Sequence, residues 1–190
     1  MGSTVVFRLE KHLRQYLCSV GDYLADRLGD MLANPLPLDS IHLTLHDLVC
    51  PENAQTPNVY TNEAKNAYSS AYLREVARSL EQASHIVAEI QGECGGEDIV
   101  LLADRAVNMV SKSLVLLMKP TTERDFERFL ELYRRFDAVT PLPYPLTPHV
   151  TLAYFRPGTI DVNLLAVLAL ERKAVVAVEM TGNRKLLTRK

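Results

Sequence analysis

Two rhythms alternate along this chain of 190 residues. Apolar side chains at every second position mark strands, and apolar side chains three or four apart mark helices. Thr4 to Glu10 reads as a strand. Leu13, Tyr16, Leu17, Val20, Leu24 and Leu28 then recur at helical spacing, with Gly29 as the stop. A proline-bearing connection leads into a strand from Ser40 to Val49, and a polar loop from Pro51 to Thr61 follows. Leu73, Val76, Leu80 and Ala83 predict a helix from Asn62 to Ser84. Ile86–Ile90 and Ile99–Ala103 read as a strand pair across a glycine-rich turn, and Ser113–Lys119 as a further strand. Thr122 and Asp125 resemble a capping box before the helical stripe of Phe126, Phe129, Leu130, Tyr133 and Phe136. After the prolines of 141–148 comes a strand from His149 to Phe155. Asp161 then caps a helix bearing Leu164, Leu165 and Leu168, and Ala174–Met180 with Lys185–Thr188 reads as a closing hairpin across Gly182-Asn183.

The element order contains a repeat. Strand, helix, strand, helix runs from Thr4 to Ser84 and again from Ser113 to Leu170, with Phe7 and Leu116 at matching places. The halves share no residue-by-residue similarity, so the repeat is architectural. It predicts an α+β fold: a single bilobal domain over residues 1–190, with pseudo-symmetric lobes around 4–84 and 113–170 that can exchange strands. Their antiparallel sheets face a central cleft, with the helices on the outside.

Composition narrows the ligand. The formal net charge is -2, and a protein gripping a long nucleic-acid backbone carries a strong basic excess. A phosphate-bearing ligand would therefore be small, or the single end of a longer chain, and not an extended duplex. The odd, scattered set Cys18, Cys50 and Cys94 argues against a disulfide framework and fits a reducing, cytoplasmic compartment. No run approaches the ~18 apolar residues of a membrane span, so no membrane association is expected. The chain is expected to act as a monomer.

The repeat gains chemical meaning from two short segments. Ile41-His42-Leu43-Thr44-Leu45 and Pro148-His149-Val150-Thr151-Leu152 each place a histidine two residues before a threonine. Strand side chains alternate between faces, so each His shares a face with its Thr while the apolar residues between them turn to a core. Splitting a phosphodiester without a metal needs a base to activate water and an acid to protonate the leaving alkoxide. Histidine, with an ordinary pKa of about 6.5, serves both roles near neutrality. Threonine hydroxyls can donate to the non-bridging oxygens, where charge accumulates. A metal site is not expected: His42 and His46 are spaced like a helical zinc pair, but the segment reads as strand and no Glu or Cys ligand lies nearby.

The paired His-x-Thr segments, at this separation and in this element order, resemble those of the two-histidine (2H) phosphoesterases. That group includes the bacterial RNA 2′,3′-cyclic phosphodiesterases, also known as 2′-5′ RNA ligases or LigT-like proteins. The resemblance implies that His42 and His149 are the catalytic pair, that Thr44 and Thr151 bind the phosphate, and that neither metal nor cofactor is used. It implies hydrolysis of a 2′,3′-cyclic phosphate or a 2′-5′ linkage on a small nucleotide or RNA end, with ATP-independent joining of RNA ends in some members. Which histidine is base and which acid stays open. The alternative is a module that binds a nucleotide or cyclic dinucleotide in the same cleft without cleaving it.

The flanks of the motifs differ. Strict alternation places His46 on the face of His42 and Thr44, where it could touch a base or ribose or simply be a half-exposed histidine at a strand end, and places Ala153 and Phe155 on the face of His149 and Thr151. Phe155 could then stack on a base, with ordinary core packing as the competing role. Arg156 could reach a second phosphate or be an ordinary surface arginine, and Tyr144, in the proline-rich approach, could stack on a base or pack locally as a turn residue.

Overall fold

The computed structural model describes residues 3–56, 59–60, 67–93, 99–109, 112–145 and 147–157, and the backbone of 177–178 and 186–189. The fold is α+β, as expected. The described residues form seven strands and three helices: β1 (Thr4–Phe7), α1 (Lys11–Leu28), β2 (Leu43–Asp47), α2 (Ser70–Glu93), β3 (Leu101–Met109), β4 (Ser113–Pro120), α3 (Glu123–Asp137), β5 (His149–Tyr154), β6 (Ala177–Val178) and β7 (Leu186–Arg189). All described strand pairings are antiparallel, in the order β6-β3-β4-β5-β2-β1-β7. The two motif strands, β2 and β5, lie side by side in the middle. Two residue pairs, Leu43 with Val150 and Thr44 with His149, join the halves into one continuous sheet.

The helices and one face of the sheet share a single core. Leu13, Leu17, Leu24 and Leu28 of α1, Tyr72, Val76, Leu80, Ala83, Val87 and Ile90 of α2, and Phe129, Leu132 and Phe136 of α3 pack with Leu43, Leu45, Val150 and Leu152. Val6 and Val115 are also buried but lie outside that cluster, on the opposite face. We call this the open face. Two helices reach across the halves: α1 of the first packs on β5 of the second, and α3 of the second packs on β2 of the first as well as on its own β4. Gly21 lets α1 approach closely, since a Cβ there would stand 3.2 Å from the carbonyl oxygen of Leu152. At the start of α3 the expected cap forms. Thr122 Oγ1 accepts from the Asp125 amide at 3.1 Å and donates to its carboxylate at 2.8 Å.

Two expectations fail, each for a physical reason. Ile86–Ile90 is not a strand. It is the last part of α2, because Val87 and Ile90 continue the buried stripe of Tyr72, Val76, Leu80 and Ala83 at helical spacing. The partner of Ser113–Pro120 is instead Leu101–Met109. The closing hairpin does not form: β6 pairs with β3 and β7 with β1, at opposite edges of the sheet, where each completes a different half. The expected helix at Leu164–Leu168 lies outside the described residues.

Candidate active site

The register between β2 and β5 brings the two motifs together. Thr44 is directly opposite His149. Carrying the register one residue further sets His42 opposite Thr151. Directly opposed residues of an antiparallel pair project from the same face, with Cβ atoms roughly 5 Å apart. The four side chains therefore stand at the corners of a rectangle on the open face, each histidine beside the other motif's threonine. At ~3.3 Å per residue and about 5 Å between strands, the histidines occupy diagonal corners with Cα atoms roughly 8 Å apart. A local two-fold axis passes between Leu43 and Val150 and exchanges the motifs. The neighbouring strands obey it as well: Phe7 pairs with Leu43, and Leu116 with Val150. These are the two positions that sequence offsets had matched.

The symmetry extends to an irregularity. On β1, consecutive residues Val6 and Val5 face Thr44 and His46, so Leu45 is an extra residue. On β4, consecutive residues Val115 and Leu114 face Thr151 and Ala153, so Leu152 is an extra residue. Each motif strand thus carries a β-bulge one residue after its threonine. A bulge resets the alternation of side chains between faces. Beyond it, positions that strict alternation assigned to the open face turn to the core.

This corrects two candidate ligand contacts. His46 does not share a face with His42 and Thr44. It is 1% exposed beneath α3, its ring 4.7 Å from that of Tyr133 and its Nε2 3.4 Å from Asp137 Oδ1. Burial pulls its pKa below the ordinary histidine value, against the opposing pull of Asp137 and Asp47. Phe155, with Ala153, joins the core at 8% exposure and bridges Leu32, so it presents no face for stacking on a base. The same shift brings out residues that alternation missed. Tyr154, 49% exposed, and Asp47 occupy corresponding places on the open face past each bulge. Only the bulges explain this, and no residue pattern in the sequence marks them.

The remaining candidates lie at the ends of the site. Tyr144 is exposed, and its hydroxyl donates to Asp47 Oδ2 at 2.9 Å, tying the proline-rich approach to the end of β2. Burial and the adjacent Asp47 carboxylate push its phenol pKa upward. Asp137 accepts from the Leu142 amide at 3.1 Å and holds the same segment from the other side. Arg156 is exposed and paired with Asp30 at 3.2 Å.

The motif residues themselves are half-buried, accessible yet walled by sheet. His149 Nδ1 lies 2.7 Å from the Thr147 carbonyl oxygen. A carbonyl only accepts, so Nδ1 carries the proton, and Nε2 is the atom free to exchange one with a ligand. Among the described residues no group of three or more His, Cys, Asp or Glu side chains is arranged to hold a metal ion. No described helix is long and apolar enough to cross a membrane.

No family model matches the sequence, and no curated protein sequence matches it. Solved structures do. A conserved protein of unknown function, ATU0111 from Agrobacterium tumefaciens, is similar in fold at 15% identity and a TM-score of 0.53, over 81% of this chain. This chain spans 62% of that one, less than two thirds of its length. LigT from E. coli, complexed with ATP, matches at 14% identity and a TM-score of 0.48, over 100% of this chain and 95% of LigT. A structure described as a phosphoesterase matches at 14% identity and a TM-score of 0.47, over 85% of this chain and 75% of that one. At such identities the likeness is one of fold.

Proposed function

We propose that this protein is a metal-independent phosphoesterase that opens 2′,3′-cyclic phosphates or cuts 2′-5′ linkages on small nucleotides or RNA ends. The observation that carries the reading is the register of Thr44 against His149, with His42 and Thr151 following from it. A phosphate seated over the two-fold axis would meet one imidazole and one hydroxyl from each strand. One imidazole, neutral, takes a proton from water as its oxygen attacks phosphorus. The other, protonated, gives its proton to the departing ribose oxygen, and the ester becomes a monophosphate. The two hydroxyls donate to the non-bridging oxygens as negative charge builds on them. Because the motifs are related by the axis, either histidine fills either role according to how the ester is seated. E. coli LigT, one of the structural neighbours, has been crystallised with ATP, 3′-AMP and NADP+, which is in keeping with a nucleotide ligand.

The test is turnover of nucleoside 2′,3′-cyclic phosphates and 2′-5′ oligoadenylate by EDTA-treated protein. Hydrolysis with a bell-shaped pH profile, abolished in His42→Ala and in His149→Ala, is expected. Tight binding without product would replace the enzyme by a nucleotide-binding module. Turnover unaffected by either substitution would remove the site altogether.

A further inference from the structure

We infer that Arg8 forms a second anion subsite beside the His-Thr rectangle, so that the preferred ligand carries a further phosphate next to the ester held over the axis. This rests on the phosphate-binding reading of that rectangle. Val5, Phe7 and Leu9 belong to the core, so the alternating residues Val6 and Arg8 face the open side. Val6 pairs with Thr44 and Phe7 with Leu43. One step further, Arg8 comes beside His42, a single strand spacing of about 5 Å away.

The two-fold axis makes this position informative. It relates Arg8 to Leu117, the neighbour of His149. The four motif residues are thus chemically symmetric, while their immediate flanks are a cation on one side and an apolar side chain on the other. Arg105, beyond Leu117 on β3, is a second strand spacing from His149 and lies near Asp104. A nucleotide with its cyclic ester at the centre finds apolar contact for sugar and base over Leu117, and a positive charge for its 5′-phosphate toward Arg8.

Arg8 is available for that role. Its guanidinium is 3.7 Å from Asp39 Oδ1, with 49% of its side chain exposed. The same carboxylate oxygen is held at 2.8 Å by Arg14, whose side chain is buried. An exposed pair at that distance is weak, and turning Arg8 toward a ligand leaves Asp39 balanced by Arg14. Arginine also matches a phosphate with two parallel donors.

Calorimetry with adenosine 2′-monophosphate and adenosine 2′,5′-bisphosphate, on wild type and Arg8→Ala, tests the subsite, alongside kcat/KM for adenosine 2′,3′-cyclic phosphate with and without a 5′-phosphate. Wild type should favour the 5′-phosphorylated member of each pair by about tenfold to a hundredfold, as charge-assisted hydrogen bonds to one phosphate allow. Arg8→Ala should lose that preference, and Arg8→Lys should keep part of it. Binding preference without turnover supports the subsite while sinking the phosphodiesterase. Turnover or binding of both members with no preference in wild type overturns the Arg8 subsite alone, as does a preference that survives in Arg8→Ala. Failure of both the monophosphate and the bisphosphate to bind overturns subsite and centre together.

Discussion

Up to the threonine, β2 and β5 are one device used twice; past it they diverge. Each presents histidine and threonine to the open face, and each then bulges at a leucine. After the bulge β2 drives His46 into the layer beneath α3, against the rings of Tyr133 and Phe136. The matching residue of β5 is Ala153, and α1 lies over that strand so closely that Gly21 meets the Leu152 carbonyl. Past the bulge one strand is packed by large rings and an imidazole, the other by an alanine and a helix that a glycine lets come close. The lesson is that the shared backbone, rather than shared packing, carries the symmetry of the site. The parts of the core beneath the two strands are filled by different side chains.

The sharpest way to break the comparison is through the histidines. His42→Ala and His149→Ala should each lower kcat on a 2′,3′-cyclic nucleotide by about 10²–10⁴-fold. Losses differing by more than tenfold would show that the axis relates positions but not roles. Thr44→Val and Thr151→Val should follow at about 10²-fold each in kcat, with little change in folding, since each removes one proposed donor to the phosphate.

Effects on stability should separate the halves. His46→Ala opens a hole under α3 and should cost about 2–3 kcal/mol in urea denaturation. Its pH dependence sharpens the point. Burial lowers the folded-state pKa of His46 below its unfolded value, so the unfolded chain binds the proton more readily. The stability that neutral His46 brings is intact above about pH 6.5. It is lost as pH falls from there through the folded pKa. In His46→Leu this part of the slope should vanish from denaturation midpoints measured between pH 7 and 5. An unchanged slope would place the acid sensitivity elsewhere.

The smallest effect is expected at Gly21→Ala. A mid-helix alanine gains about 1 kcal/mol in helix propensity, but its Cβ would press on the Leu152 carbonyl at 3.2 Å. The net change in stability should stay below about 1 kcal/mol. Activity should fall several-fold as the second bulge, and Thr151 with it, is displaced. Full activity would show that β5 tolerates movement at its bulge.

Much of this arrangement was legible in the sequence. Alternation and helical spacing located the strands and helices from Thr4 to Gly29 and from Ser113 to Phe155, and the offset from Phe7 and Leu116 to the motifs identified equivalent positions. Local pattern failed where a signal had two readings. Ile86–Ile90 is a short apolar run that serves equally as strand or as the end of a long helix, and burial against the sheet decides for helix. The facing of His46, Phe155 and Tyr154 was out of reach for a different reason. A bulge is a property of two paired strands, and Leu45 or Leu152 looks like any other leucine until its partner strand is known. The same holds for Arg8, an unremarkable surface arginine until the register sets it beside His42.

The twin bulges also define which kinds of genetic change can redraw this site. They act as phase slips placed the same distance along each strand, confining the proposed chemistry to a three-residue window on either side of the axis. Substitutions inside the window speak to the ligand, and substitutions at the next inward-turned positions speak to the core. Passing from one domain of influence to the other takes a change of length. One residue inserted between Val5 and Val6 would give Leu45 a partner, restore alternation and return a third imidazole, His46, to the open face. Insertion and deletion, rather than replacement, are therefore the mutations by which a site of this design would acquire or shed catalytic groups.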